Sequence, residues 1–500
     1  MRRAQHIQQI DYTKGIVVHL SGLLQPEGAA TDALNVELRK GVLRRTIGVQ
    51  EFANQNLEGT PRLIDEYPRL AGGIYLCVIT HQNFYKWNAS TKQFSLIGAY
   101  SGTEPRSVSS TIMNDLFIFT DGENPIKKYD GTTYADLGGT PPKARQVESF
   151  SSHLILGCTI EDGAACPQRL RWSDTGNPEV WTGGNSGFID LVDTPDWIVL
   201  LCPLGDRLIV YKERSIWEVI YVGSPNMFIA TKLIDGVGSY IPDGVESLGD
   251  EHFLVGSDNM YRFDGRNLTE AGDRIRPLVF GYDALTNYET FQDSWLTYIE
   301  ETEELLMGIP QGNETFPRRA YKYHLPTQSW WARDFSVPVT CIGLWQQSAP
   351  LAWNDLQGSW AAQNWKWMGA VSSAEAPLTL FGTTQSGYGR VKVLDPASVQ
   401  DEGVYPEAWY QTVERAPSPN TRWLEYLVEA KGLGGLELLY SKDAGGTWHS
   451  LGLRATERTW KLLKWGLNLT CEVAAFKLKF AEGVVEVRRQ AALYEPRVRL

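Results

Sequence analysis

The stretch PIKKYDGTTYADLG, Pro125–Gly138, ends a strand-like run on an aromatic residue, turns on Asp-Gly, and returns through a short polar run to a glycine. NMYRFDGRNLTEAG, Asn259–Gly272, repeats the plan. Asp-Gly invites a catalytic reading, but it is also a strong hairpin signal. Aspartate accepts local backbone N–H bonds, and glycine adopts the left-handed backbone of a tight turn without a Cβ clash. Spacing decides between the two. Tyr85, Tyr129, Trp172, Trp217 and Tyr261 follow one another at steps of 43 to 45 residues; the steps then widen to 62 at Tyr323 and 70 at Val393. Strand, turn, aromatic strand, polar turn and strand recur around these positions. A period near 44 with that content is the mark of a four-stranded propeller blade. Such a sheet has two apolar faces that it cannot bury alone, so blades stack around an axis. LFIFT (116–120) and HFLVG (252–256) are almost continuously apolar, as strands covered on both faces must be. The seven markers predict an all-β fold with a β-propeller of about seven four-stranded blades, within a range of six to eight. In this reading Asp130, Gly131, Asp264 and Gly265 are turn residues.

The organisation outward from the blades follows from composition. Residues 1–50 read as an N-terminal arm in which Leu34 to Gly48 supplies a closing strand beside the last blade, removing sheet edges. Residues 51–403 read as the propeller. An insertion near 348–370, SAPLAWNDLQGSWAAQNWKWMGA, holds Trp353, Trp360, Trp365 and Trp367. Tryptophans concentrate in interface cores, so this insertion is the first candidate for a subunit or fibre contact, against an elaborate hairpin packed on the propeller. Arg39, Arg44 and Arg45 of the arm are the next interface candidates, against a role in capping local acidic loops. Residues 404–500 change style to longer alternating strands, AAFKLKF and GVVEVRR among them, and read as a β-sandwich after a connector at Pro417 and Pro419.

Charge and cysteine content narrow the function. The 500 residues carry a formal charge of −12, which argues against a generic nucleic-acid binder with its basic face. It leaves room for a wall past which DNA slides without sticking. The charge is uneven: from Gln411 onward there are 14 Lys/Arg against 10 Asp/Glu, a formal +4, so the preceding residues carry −16. Six cysteines without a CxxC pair read as free thiols of a reducing compartment. The sequence has no apolar leader and no run of 18 apolar residues, so neither a secretory signal nor a membrane span is expected.

No catalytic constellation can be assembled from the sequence. SKDAGGTW, 441–448, resembles the Asp-box of sialidases, with Ser441, Asp443, Gly445, Thr447 and Trp448 matching. That box is a hairpin lock, and Asp443 and Gly445 are accordingly structural turn residues. Candidate carboxylates for glycoside hydrolysis, Asp190, Asp193, Asp196, Glu300, Glu301, Glu303 and Glu304, offer no preferred pair. The seven histidines are scattered without HExxH or a close pair, and no Walker or dinucleotide fingerprint occurs. No catalytic residue, metal or cofactor is expected, and the chain is read as not an enzyme.

The passage GLLQPEGAATDALNVELRKGVLRRTIGVQ, 22–50, resembles the opening of propeller-type virion proteins of tailed bacteriophages, through Asn35, Arg39, Gly41, Arg44, Arg45 and Gly48. The segment from 233 to 279 is similar in its glycine, strand and aromatic-x-aromatic-Asp-Gly order. The terminal sandwich is a common companion. The resemblance is to β-propeller tail hub or nozzle proteins of short-tailed phages. It implies a virion structural protein that forms an oligomeric ring, often of six, extending the DNA channel and docking fibres or spikes. Its partners would be further copies of itself, the tail adaptor, the fibre or spike proteins and genomic DNA passing through the ring without specific binding. Assembly would take place in the host cytoplasm, with no membrane span and no cofactor. The rival expectations are a carbohydrate-binding or sialidase-like glycan-active propeller and a cellular protein-interaction propeller.

Overall fold

The computed structural model describes residues 5–9, 11–20, 24–26, 28–70, 72–100, 107–281, 284–346, 377–415, 421–443 and 445–495. Five four-stranded antiparallel meanders follow in order, at 61–99, 109–136, 143–190, 198–235 and 245–270. A sixth meander, 295–334, begins a 13-stranded sheet, and a seventh joins Val339–Trp345, Leu378–Gln385 and Tyr388–Asp395 to the N-terminal strand Gly48–Glu51. The first strand of each unit packs against the first strand of the next, and the seventh returns to the first. The result is a β-propeller of six separate sheets plus one blade fused to a larger sheet. Among the described residues the helices are a single turn at Arg276–Val279 and a 3-10 turn at Phe291–Asp293.

All seven period markers fall in the third strand of their meander. The reason is packing. Tyr85, Trp172, Trp217 and Tyr261 are all buried, within cores that join successive blades. The wide steps also have local causes. The two short helices lie between the fifth and sixth blades. The tryptophan-rich insertion leaves after Trp345 and returns before Leu378, two residues that pair directly. It therefore springs from the first hairpin of the seventh blade. Trp353, Trp360, Trp365 and Trp367 lie outside the described residues, as do Pro417 and Pro419.

The ring is closed by the N-terminal segment, with a shift from the expected position. Gly48–Glu51 pairs with Lys392 to Asp395, so Gly48 alone of the expected closing segment takes part. The residues before it serve the other sheet. Asp32–Leu34 lies between Ser329–Asp334 of the sixth blade, through Leu34 and Ala332, and Ala408–Arg415 of the C-terminal region. Asn35, at φ 52, then turns the chain into the hairpin Val36–Arg39 and Val42–Arg45.

The C-terminal sandwich is one curled sheet rather than two. Arg422–Ser441 and Val473–Glu495 pair along almost their whole lengths and bend together at Gly432 and Gly483. A Cβ at Gly432 would meet the Val484 carbonyl, and one at Gly483 the Leu433 carbonyl. Both glycines also hold positive φ, so other residues are excluded twice. The bend brings the halves face to face: Tyr426 packs on Phe476 at 4.6 Å, and Trp423 on Phe476 at 5.7 Å.

Ionic contacts weld the N-terminal hairpin to both neighbours. Arg45, 2% exposed, donates to the carbonyls of Phe480 (2.8 Å), Ala481 (2.6 Å) and Pro406. Arg44 chelates Glu37 Oε1 at 2.9 and 2.7 Å. Buried Lys322 of the sixth blade reaches Glu37 at 3.3 Å and Glu304 at 3.1 Å. Burial alone would raise the Glu37 pKa; Lys322 and Arg44 outweigh it and hold the carboxyl below its usual value. Arg39, by contrast, makes a single 3.5 Å contact with Glu301 at the surface. Replacing Arg45 strands one buried carbonyl and two half-buried ones, and a buried group left unpaired costs about 1–3 kcal/mol. Arg45→Met should therefore lower unfolding free energy by several kcal/mol in urea titrations, whereas Arg39→Met should stay within about 0.5 kcal/mol.

Candidate functional site

The propeller axis gathers carboxylates on its innermost strands. Ser110 of the second blade donates to Asp65 of the first, and Thr111 donates to Glu148 of the third at 3.1 Å. Glu246 of the fifth blade lies by the Tyr298 amide of the sixth. Asp243 lies near Arg62, which is itself paired to Asp293 at 3.2 Å. Asp65, Glu148 and Glu246 are half-buried: water reaches them, but protein surrounds them. Desolvation by the surrounding protein pushes Glu148 and Glu246 up to about 7 and raises Asp65 as well. Sequence reading missed this ring. Asp65, Glu148 and Glu246 occupy inner strands of three different blades, more than 80 residues apart from one to the next, and only closure brings them together.

One cysteine–histidine contact lies near this axis. Cys202 Sγ is 3.6 Å from His252 Nε2, which is also 3.0 Å from the Pro203 carbonyl, while Tyr211 OH meets Nδ1 at 2.8 Å. A carbonyl only accepts, so Nε2 carries the proton and Nδ1 accepts from tyrosine. Burial pushes the Cys202 thiol up to about 12 and lowers His252. This arrangement holds a neutral imidazole against a protonated thiol, the reverse of an activated nucleophile.

The Asp-Gly turns have a common construction. Asp130 accepts the Thr132 and Thr133 amides at 2.8 and 2.6 Å. Asp264 accepts those of Arg266 and Asn267 at 2.9 and 2.6 Å. These bonds, the Thr133 and Asn267 amides foremost, hold both carboxyls below the usual range. Gly131 and Gly265 have φ of 90° and 86°. In each turn an arginine of the preceding blade lies against the glycine: Arg69, chelated by Asp115, beside Gly131, and Arg207 beside Gly265, whose carbonyl it contacts at 3.1 Å. The motif is thus a joint between blades, and both arginines escaped the sequence reading because each lies some 60 residues upstream of its turn. The third turn is closed by Asp443, which takes the Ser441 hydroxyl and the Thr447 amide (2.8 Å), with Gly445 at φ 109°. Next to it Lys477 is stacked between Trp409 and Trp448, at 4.9 and 4.7 Å.

Two surface features complete the candidates. An open groove of about 690 Å³ between the third and fourth blades is lined by Trp172, Asn185, Phe188, Asn226 and Phe228. Exposed Ile229 also borders this groove, and beyond it the fourth blade exposes Tyr221 and Val222. Of the three arginines expected at an interface, Arg45 is committed inside the chain, Arg44 is held by Glu37, and Arg39 remains at the surface.

Topology and strand order define the chain as an all-β propeller. Among solved structures, it is similar to the Cps50 (Swd1) β-propeller domain of Myceliophteria thermophila, at 9% identity and TM-score 0.40, over 69% of this chain and all of that one. It is also similar to the computationally designed Ika8 protein, at 11% identity and TM-score 0.36, over 68% of this chain and 99% of that one. No family model matches the chain, and no curated protein sequence matches it.

Two measurements check these arrangements. Glu148 and Glu246 bind protons more readily in the folded chain than in the unfolded one. Their contribution to stability is therefore complete below the ordinary glutamate pKa and is lost as pH rises through about 7. The Glu148→Gln/Glu246→Gln variant should lose less Tm than the parent between about pH 5 and about pH 8. At the joint, Gly131→Val places a branched side chain at positive φ against Arg69 and should cost roughly 2–4 kcal/mol in denaturant unfolding.

Proposed function

We propose that this chain is a structural protein of a short-tailed phage tail, a hub or nozzle subunit that assembles into a ring. The observation that carries the reading is the continuity of one sheet across two units. The sixth blade, the strand Asp32–Leu34 and the curled C-terminal sheet form a single hydrogen-bonded structure. Such a connection makes the two units move as one body, as a tube segment under internal pressure requires. The resemblance of the 22–50 segment to propeller-type virion proteins supports the same reading, because those residues build the connection. In this role the genome passes down the axis of the ring, not the narrow axis of each propeller, and an acidic wall keeps DNA from adhering. The partners are further copies of the chain, the tail adaptor, and fibres or spikes; the location is the virion, after assembly in the host cytoplasm.

The test is the native mass of the purified chain with negative-stain images. A closed ring, or incorporation at the tail of a virion, is the expected result; a monomer at every concentration would sink the reading. A second reading, a glycan-binding propeller, has its own support in the groove by Trp172 and Phe188, where aromatic and amide side chains stand together. Binding on a glycan array that is lost in Phe188→Ala would favour it.

A further inference from the structure

The outer ladder of the fourth blade overhangs its neighbour. Ser215–Gly223 and Met227–Asp235 are nine residues each, against four and three for Met260–Phe263 and Leu268–Glu270 of the fifth blade. One face of the ladder, with Trp217 and Val219, packs towards the third blade. The opposite face, with Ile216, packs towards the fifth. On that face Glu218 meets Arg207, which reaches the Gly265 carbonyl of the fifth blade's turn. Ile220 lies one step further along, directly opposite Ile229. The two are 36% and 48% exposed, because the shorter blade ends at its turn. Arg207 pairs with Ile220 and reaches the Gly265 carbonyl, so exposed Asp206 and exposed Asp264 each adjoin a residue at the Arg207 end of this ledge.

The C-terminal sheet carries a complementary feature. His449–Ala455 ends the sheet, paired on one side to Arg422–Ser441 and open on the other among the described residues. Six of its seven residues are exposed, Leu453 at 63%. Arg454 and Arg458 are exposed beside it. Leu451 packs on the core and the Gly452 carbonyl accepts from Trp465 at 2.9 Å, but the other side chains of the strand are exposed and its outer edge is open among the described residues; an open edge of this kind invites association, although a register shift interrupts its pairing.

We propose that His449–Ala455 of one copy docks on the Ile220–Ile229 ledge of a second copy, with Leu453 over the isoleucines and Arg454 and Arg458 facing Asp206 and Asp264. The inference rests on the ring reading and names its contact surfaces. Charge supports the choice of occupant: the segment from Gln411 onward is formally +4, and the rest of the chain is −16, so the sheet of one copy is drawn to the propeller of the next. The two surfaces lie on different parts of the chain, so the contact is head-to-tail, which closes into a ring when the rotation from copy to copy closes and otherwise extends into a filament.

Complementation tests it. Ile229→Asp removes the ledge and Leu453→Asp removes the strand, both at exposed positions; thermal melts confirm that each variant folds, and Thr replaces Asp at either site if one does not. In sedimentation velocity the parent should run as a closed ring and each variant as a monomer. An equimolar mixture should run at twice the monomer mass, because it pairs one intact ledge with one intact strand. Rings that persist in either variant, or a mixture that stays monomeric, overturn this contact and leave the ring reading standing. A parent that is monomeric at all concentrations overturns both.

Discussion

The buried guanidinium of Arg45 is the contact on which the two halves of the chain depend. It donates to three backbone carbonyls, Pro406 before the strand Ala408–Arg415 and Phe480 and Ala481 within Val473–Glu495, and so ties the hairpin to both. The hairpin that carries it also holds Glu37, which reaches across to Lys322 in the sixth blade. A buried charge is costly to desolvate and is tolerated where it is hydrogen-bonded; Arg45 is held through both terminal nitrogens, while its Nε is buried without a hydrogen-bond partner among the described residues. The same twenty residues then supply the strand that closes the ring. One short segment therefore fixes the circumference of the propeller and its attachment to the neighbouring sheet.

Blade-to-blade joints elsewhere rely on smaller devices used repeatedly. At the rim, an arginine from one blade lies against the Asp-Gly turn of the next. Near the axis, hydroxyls of the second blade hold carboxylates of the first and third. Between rim and axis the contacts are apolar, with the aromatic third strands at their centre. The polar joints set register while the apolar layers supply most of the cohesion.

The propeller was legible in the sequence because its signal is local and repeated. Each blade announces itself by an aromatic residue in its third strand and a polar turn, and those features recur even where insertions lengthen the step, as before Tyr323 and Val393. The Asp130 and Asp264 turns were legible for the same reason. The closing strand was misplaced towards Leu34 because alternating strands run through the whole stretch from Asp32 to Glu51, and nothing local says which pairs with which sheet. The single curled C-terminal sheet was hidden for a related reason: a strand bent at Gly432 reads as two strands. The axial carboxylates and the partners of Arg45 were out of reach, since both arise from residues far apart in sequence, from separate blades in the first case and from opposite parts of the chain in the second.

Closure by a strand near residue 50 that pairs with residues near 393 has a consequence for synthesis. The first blade emerges from the ribosome long before its closing partner. At roughly 5–20 residues per second, the wait is on the order of 20–70 s. During that interval the early blades exist as an open arc, with the inner strand of the first blade uncovered. Unprotected arcs of this kind are prone to pair with one another. The ring is complete only once the seventh blade, 339–395, meets Gly48–Glu51, and the weld only once Phe480 and Ala481 reach Arg45.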